Sequence, residues 1–312
     1  PVPTPAVGLL TNSMRADLGI MISASHNEHS DNGIKFFGPD GYKLSDSVEL
    51  EIEALVSKGI GYVSPEDIGR AKRIDDGRYR YIERVKSSFP NQMRLDGLKV
   101  VIDCANGAGY KAAPEVLWEL GAEVIPVGVS PDGRNINLEC GSTSPTVAAE
   151  TVVAHGADVA ICLDGDADRV LIIDEYGRPI DGDQFLGMIG SRWFKNGNLV
   201  ENTLVSTVMS NMRLEAFLKQ EGIKLVRTSV GDRYVVERMR LNGFNLGGEK
   251  SGHVVMMDYA TTGDGLMAGL QFLAEMVRTN EVASVVGRPF DLAPQKTENI
   301  TYAGDKNPLD HP

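Results

Sequence analysis

Residues 164 to 169 read Asp-Gly-Asp-Ala-Asp-Arg and follow directly on the apolar run Val159-Ala160-Ile161-Cys162-Leu163. Three carboxylates at i, i+2 and i+4 repel one another unless a cation binds or protons are taken up. Hard oxygen donors of this kind suit Mg²⁺ or Ca²⁺. An EF-hand loop would match Asp164, Asp166, Asp168 and Glu175, but it needs glycine where Arg169 stands and helices where the flanks read as strands. A haloacid-dehalogenase-type aspartyl nucleophile would have Thr or Val in place of Asp168 and would usually lie near the chain start. A solvated acidic turn fits poorly against a buried strand. A divalent cation is the expectation for this loop, with Mg²⁺ ahead of Ca²⁺ because a phosphate ligand is expected nearby.

Ser23-Ala24-Ser25-His26-Asn27 follows the strand-like Gly19 to Ile22. A serine beside His and Asn suits a nucleophile or phosphate carrier, although the same residues are common in plain turns. No Gly-x-Ser-x-Gly elbow is present, which lowers a hydrolase reading. Lys35 is either a proton-transfer group or phosphate partner, or a surface lysine. In Gly247-Gly248-Glu249-Lys250-Ser251-Gly252-His253 the glycines let the backbone approach a ligand. Glu249, Ser251 and His253 offer donors and acceptors suited to sugar hydroxyls; a polar hairpin turn is the alternative. Thr228 to Arg233 places Gly231 and a cation before a helix, an anion contact in prospect. Gly107 to Ala112 resembles a dinucleotide fingerprint, but Pro126-Val127-Gly128 stands where its acid belongs, so tight strand–helix packing is expected there.

These loops sit in a chain of 312 residues, 42% hydrophobic and 24% charged, enough for two or three domains with ordinary cores. A net charge of −12 argues against nucleic acid or an anionic membrane as partner. Cys104, Cys140 and Cys162 form no CxxC pair and fit a reducing, cytoplasmic setting. No apolar run has the length of a membrane helix, and no signal peptide is visible.

Strands alternating with amphipathic helices predict α/β layers. Leu18–Ile22 is a strand leading into a polar loop to Asp31, and the chain opens in a Pro-rich turn. Ser45 caps a helix with Val48, Ile52, Leu55 and Val56 on one face, ended by Gly59. Residues 65–92 read as an inter-domain connection, with Tyr79, Ile82 and Val85 suggesting a helix. Strands are expected at 98–103, 123–127, 158–163, 170–174, 204–208, 224–228 and 254–258. Between them helices are expected around Val116–Leu120, 146–155, Phe185–Trp193, 212–218, 234–241 and 265–277. Residues 245–252 read as a glycine-rich loop.

Three motifs in order, Ser23–Asn27, Asp164–Arg169 and Gly248–His253, resemble those of the α-D-phosphohexomutase superfamily. Arg227-Thr228, Val230 to Val235 and Ala260 to Gly265 support the resemblance, which covers essentially the whole chain. It implies consecutive α/β domains with mixed sheets around a central active-site cleft: 1–76 with the phosphoserine loop, 77–178 with the metal loop, 179–290 with the sugar loop, and 291–312 as a linker and the start of a fourth domain. It implies that Ser25 carries the phosphoryl group and that Asp164, Asp166 and Asp168 hold Mg²⁺, with the phosphoserine completing the shell. Glu249 and Ser251 would bind sugar hydroxyls, with Thr228, Gly231 and Arg233 on the substrate side. Lys35, Arg169, His26 and His253 would lie near the reacting phosphate.

The implied reaction interconverts glucosamine 6-phosphate and glucosamine 1-phosphate through a sugar 1,6-bisphosphate, feeding UDP-N-acetylglucosamine and cell-wall synthesis. A phosphomannomutase/phosphoglucomutase is the enzyme alternative, and a metal- or phosphosugar-binding module the non-enzyme one. The implied partners are the phosphosugar and the bisphosphate, without nucleic acid or membrane, and with a homodimer as a conceivable assembly. Glu28 and Lys250 depart from the usual pattern. Relatives also carry an N-terminal strand with an arginine motif and a C-terminal phosphate-binding loop that these residues lack, so the chain is expected to be the middle of a longer protein.

Overall fold

The computed structural model describes residues 1–59, 61–296 and 298. Helix α1 (Thr4–Ser13) occupies the opening stretch expected to be a turn. Proline in the first helical turn is tolerated because its missing N–H would have no intrahelical partner anyway. Strands β1 (Gly19–Ser23) and β2 (Gly33–Phe37) follow as an antiparallel hairpin with Met21 opposite Lys35. Helix α2 (Asp46–Lys58) starts after Ser45 and stops at Gly59, as the spacing predicts. None of its residues is buried, however, and Leu55 and Val56 are 62% and 65% exposed. The periodic stripe specifies a helix without specifying a cover for it.

Helix α3 (Gly77–Ser87) turns Tyr81, Ile82 and Val85 inward and leaves Tyr79 outside. It belongs to the packed body rather than to a connection.

Two four-stranded mixed sheets follow. The first holds β3 (Lys99–Asp103), β4 (Glu123–Val127), β5 (Val159–Leu163) and β6 (Val170–Asp174) in the order β4-β3-β5-β6, with α4 (Ala112–Glu119) and α5 (Thr146–His155) as connections. Its β3 pairs parallel to β4 and β5, and β5 pairs antiparallel to β6. After α6 (Gly182–Lys195), the second sheet has β7 (Thr203–Thr207), α7 (Met212–Glu221), β8 (Lys224–Thr228), α8 (Asp232–Asn242), β9 (Leu246–Gly248) and β10 (Val254–Met256). Its order is β10-β9-β7-β8, with β7 parallel to β8 and β9, and β9 antiparallel to β10. The two sheets therefore share one topology, and each ends in an antiparallel hairpin. The acidic loop is the tip of β5–β6, the sugar loop at 249–253 the tip of β9–β10, and the serine loop the tip of β1–β2.

Helix α9 (Gly265–Thr279) is buried from Gly265 through Met276. It is apolar nearly all round because β5 and β6 cover one side and α3 and α6 others. One hydrophobic cluster runs through Ile161, Leu163 and Ile172 of the first sheet, Leu266, Leu270 and Phe272 of α9, and Leu204 and Leu246 of the second sheet. Among the described residues no helix is long and apolar enough to cross a membrane. The expected fourth-domain start at 291–312 lies largely outside the described residues.

Asp264 caps α9. Its Oδ1 accepts from the Met267 N–H at 2.9 Å and from the Tyr81 hydroxyl at 3.0 Å, while Oδ2 is buried without a partner. Burial pushes this carboxyl up to about 7. A proton retained to about pH 7 in the fold but lost near pH 4 in the unfolded chain makes stability fall as pH rises through that interval, by at most about 4 kcal/mol. Asp264→Asn keeps the accepting Oδ1 and removes the titration. Its stability relative to the parent should therefore improve by about 2–4 kcal/mol between pH 5 and pH 8 in urea unfolding. An unchanged difference between the two pH values would show that Asp264 does not carry this proton.

Candidate active site

The three hairpin tips meet. Gly165 lets the acidic loop lie on the serine loop, since a Cβ there would sit 2.4 Å from the Ser25 carbonyl oxygen. Gly252 has φ +88°, and a Cβ there would sit 2.0 Å from the Val170 carbonyl oxygen. That approach allows the Val170 N–H to donate to the Gly252 carbonyl at 3.1 Å. Further support comes from the Ala108 N–H, which donates to the Gly165 carbonyl at 2.7 Å. The loop with the dinucleotide-like glycines thus braces the acidic tip, in line with a packing role.

Asp166 joins the acidic tip to the first hairpin. Its Oδ1 accepts from the Ser25 hydroxyl at 3.0 Å, and its Oδ2 takes the Lys35 ammonium at 2.6 Å. The Thr4 hydroxyl also donates to Oδ2, and the Thr4 N–H donates to the Asp166 carbonyl at 2.9 Å. Lys35 additionally reaches Asp168 at 2.9 Å and the Ser25 Oγ at 3.4 Å. Its position opposite Met21 in β2 carries it to the triad, so it is not a free surface lysine.

Asp164, Asp166 and Asp168 are all buried, with one carboxylate oxygen of each within 4.8 Å of the others. Burial, then repulsion from Asp168 and Asp166, raises Asp164 well above the ordinary carboxylate range. Burial also pushes Asp168 upward, but His253, Lys35 and Lys43 together hold it below that range. His253 is itself lowered, chiefly by burial. Lys35 is held above its ordinary value because Asp168 and Asp166 outweigh its burial.

Asp164 Oδ2 and Asp168 Oδ1 are buried without hydrogen-bond partners. Orphaned buried carboxylate oxygens are costly unless something binds them. An all-oxygen set converging this closely fits a divalent cation, which would replace the proton on Asp164.

The other expected residues divide. His253 is buried, its Nε2 3.9 Å from Asp168 and 3.4 Å from Asp232, with neither ring nitrogen hydrogen-bonded. His26 lies beside the serine with Nδ1 buried and unpartnered, and it is lowered by burial and then by the Arg169 charge. Arg169 donates its backbone N–H to Asp164 at 3.0 Å, and its Nε is 4.0 Å from Asp168. Glu249 accepts from the Gly231 N–H at 3.0 Å, which joins two of the expected substrate residues. Ser251 is exposed at the tip. Thr228 is turned inward, donating to the Ser229 carbonyl at 2.9 Å. Arg233 faces α2 instead of the triad, paired with Asp46 and with Glu49 at 2.9 Å.

Sequence reasoning missed Thr4, Lys43 and Asp232. Lys43 pairs with Asp232, and burial of Asp232 is outweighed by His253 and Lys43, which leave it at about 2. Asp232 had a visible signal, lying between Gly231 and Arg233. Thr4 and Lys43 had none.

Family models match the chain in three consecutive pieces. They are phosphoglucomutase/phosphomannomutase alpha/beta/alpha domain I over residues 1–62, domain II over 79–177 and domain III over 181–290. The phosphoglucosamine mutase of Roseobacter denitrificans is 69% identical over 310 residues, covering 99% of this chain and 69% of that protein. Among solved structures, a phosphoglucomutase/phosphomannomutase family protein of Burkholderia thailandensis superposes with TM-score 0.78 at 24% identity, covering 91% of this chain and 63% of that one. The N-acetylphosphoglucosamine mutase of Aspergillus fumigatus, solved with GlcNAc-6P and magnesium, gives TM-score 0.64 at 18% identity, covering 91% of this chain and 76% of that one.

Proposed function

This chain belongs to the phosphoglucomutase/phosphomannomutase family, and on that premise we propose that it is a phosphosugar mutase interconverting glucosamine 6-phosphate and glucosamine 1-phosphate. The observation that carries the proposal is the Ser25 hydroxyl held against a buried carboxylate triad by Asp166 and Lys35. Its sugar assignment rests on the 69% identical phosphoglucosamine mutase. The domain limits 1–76, 77–178 and 179–290 form part of the same proposal, as does a cytoplasmic setting.

Ser25 carries the phosphoryl group between substrate and product, with the sugar 1,6-bisphosphate as the intermediate that turns over in the cleft. Asp164, Asp166 and Asp168 hold the divalent ion, taken to be Mg²⁺, which supplies positive charge where negative charge develops during transfer. Lys35 stays an ammonium throughout, hydrogen-bonded toward the Ser25 Oγ, and stabilises negative charge on that oxygen. Arg169 on the acidic loop and His26 on the serine loop lie near enough to each other for the arginine charge to lower the histidine. His253 lies between Asp168 and Asp232, its Nε2 3.9 Å from the first and 3.4 Å from the second. Glu249, oriented by the Gly231 N–H, and Ser251 at the tip contact sugar hydroxyls. A sugar that must present either end to Ser25 needs few and nearly symmetric contacts, which suits two such residues on one short hairpin.

Steady-state kinetics with the 6-phosphates of glucosamine, glucose and mannose test the sugar assignment. The expected kcat/KM for glucosamine 6-phosphate exceeds the others by at least about tenfold. A preference for glucose or mannose phosphate would move the chain to the phosphoglucomutase/phosphomannomutase alternative.

A further inference from the structure

Ser25 has φ +52°, a left-handed conformation for a residue with a side chain. Such a conformation costs about 1–3 kcal/mol and persists only where the surroundings over-determine it. Within its own loop, Ser25 is tied by its N–H donating to the Ser23 hydroxyl at 2.9 Å. A second restraint comes from the loop between β4 and α5. Asn137 Nδ2 donates to the Ser25 carbonyl at 2.8 Å and to the Asn27 carbonyl at 2.7 Å. No other hydrogen-bond donor reaches either carbonyl among the described residues. One primary amide has two N–H donors in a fixed fork, so it can fix two peptide planes two residues apart.

Asn137 is itself well anchored. It has φ +57°, which asparagine tolerates better than most residues. Its backbone N–H donates to the Ala105 carbonyl at 2.9 Å. The buried Asp103 at the end of β3 then ties both ends of this support, accepting from the Ala105 N–H at 2.9 Å and the Gly141 N–H at 2.7 Å. A rigid path thus runs from the first mixed sheet, through Asp103 and Asn137, to the backbone that aims Ser25.

We propose that Asn137 is a positioning residue for phosphoryl transfer: its amide clamps the carbonyls of Ser25 and Asn27 and holds the Ser25 Oγ in line with the triad. The proposal rests on Ser25 as the phosphoryl carrier. Asn137→Gly tests it, because glycine accepts φ +57° without strain and removes the amide with the rest of the side chain. Asn137→Asp is the companion, nearly isosteric but turning an acceptor toward two carbonyls.

Two readouts separate the clamp from the carrier. Hydrogen exchange of the amides at 25–28 should quicken in Asn137→Gly while the thermal midpoint stays put. Labelling of Ser25 by radiolabelled glucose 1,6-bisphosphate, and kcat, should fall about 10- to 100-fold with KM within about twofold, the scale expected when a reacting group is misplaced by about an ångström. Asn137→Asp should lose at least as much. Unchanged exchange, or faster exchange with label uptake at the parent rate, would overturn the clamp. Absence of label from Ser25 in the parent protein would overturn the carrier assignment, and the catalytic role of Asn137 with it.

Discussion

Ser25→Ala is expected to abolish phosphorylation of the chain by glucose 1,6-bisphosphate and to lower turnover by about 10⁴-fold or more, the scale on which loss of a nucleophile acts. The size follows from the arrangement. Lys35 and Asp166 both address the Ser25 Oγ, and without that oxygen they have no phosphoryl group to orient. The fold should be little affected. Asp166 keeps Lys35 and Thr4, and a half-exposed hydroxyl contributes on the order of 1 kcal/mol. An unchanged thermal midpoint alongside the lost label would separate chemistry from unfolding. A variant labelled to the parent level would show that the carrier lies elsewhere.

Asp166→Asn is expected to weaken divalent-metal binding by more than about 100-fold, because changes of residues that merely support metal ligands already cost about 10–100-fold. Asp166 is the member of the triad that also touches the serine and the lysine, so its loss strikes the metal site and the carrier together. Lys35 retains Asp168 at 2.9 Å and should keep the hairpin in place. Calorimetric titration with Mg²⁺ reads the effect without any turnover. Affinity equal to that of the parent would exclude Asp166 as a ligand.

Much of the fold was legible because buried strands announce themselves. Glu123–Val127, Val170–Asp174 and Lys224–Thr228 appear as the apolar runs between turn residues predict. What was missed has physical causes. β9 is Leu246-Gly247-Gly248, two-thirds glycine, and exists because β7 and β10 supply partners on both sides. β2 turns Lys35 toward the triad while Ile34 points outward at 58% exposure, so it shows no clean alternation. α1 hides behind two prolines that read as a turn. The three motif loops were legible as chemistry, and their equivalence as hairpin tips became visible only in the sheet orders. Thr4, Asn137 and Lys43 act across more than a hundred residues of chain, and no local spacing encodes such contacts. Arg233 shows the converse: its glycine-flanked position suggests an anion site, yet the acids of α2 occupy it.

A chase experiment addresses the central claim most directly. Protein labelled at Ser25 from radiolabelled glucose 1,6-bisphosphate is freed of excess label and mixed with glucosamine 6-phosphate in the presence of Mg²⁺. The label is expected to leave Ser25 and appear in a glucosamine bisphosphate and then in glucosamine phosphate. Label that stays on the serine, or that leaves only as inorganic phosphate, would contradict a mutase working through Ser25.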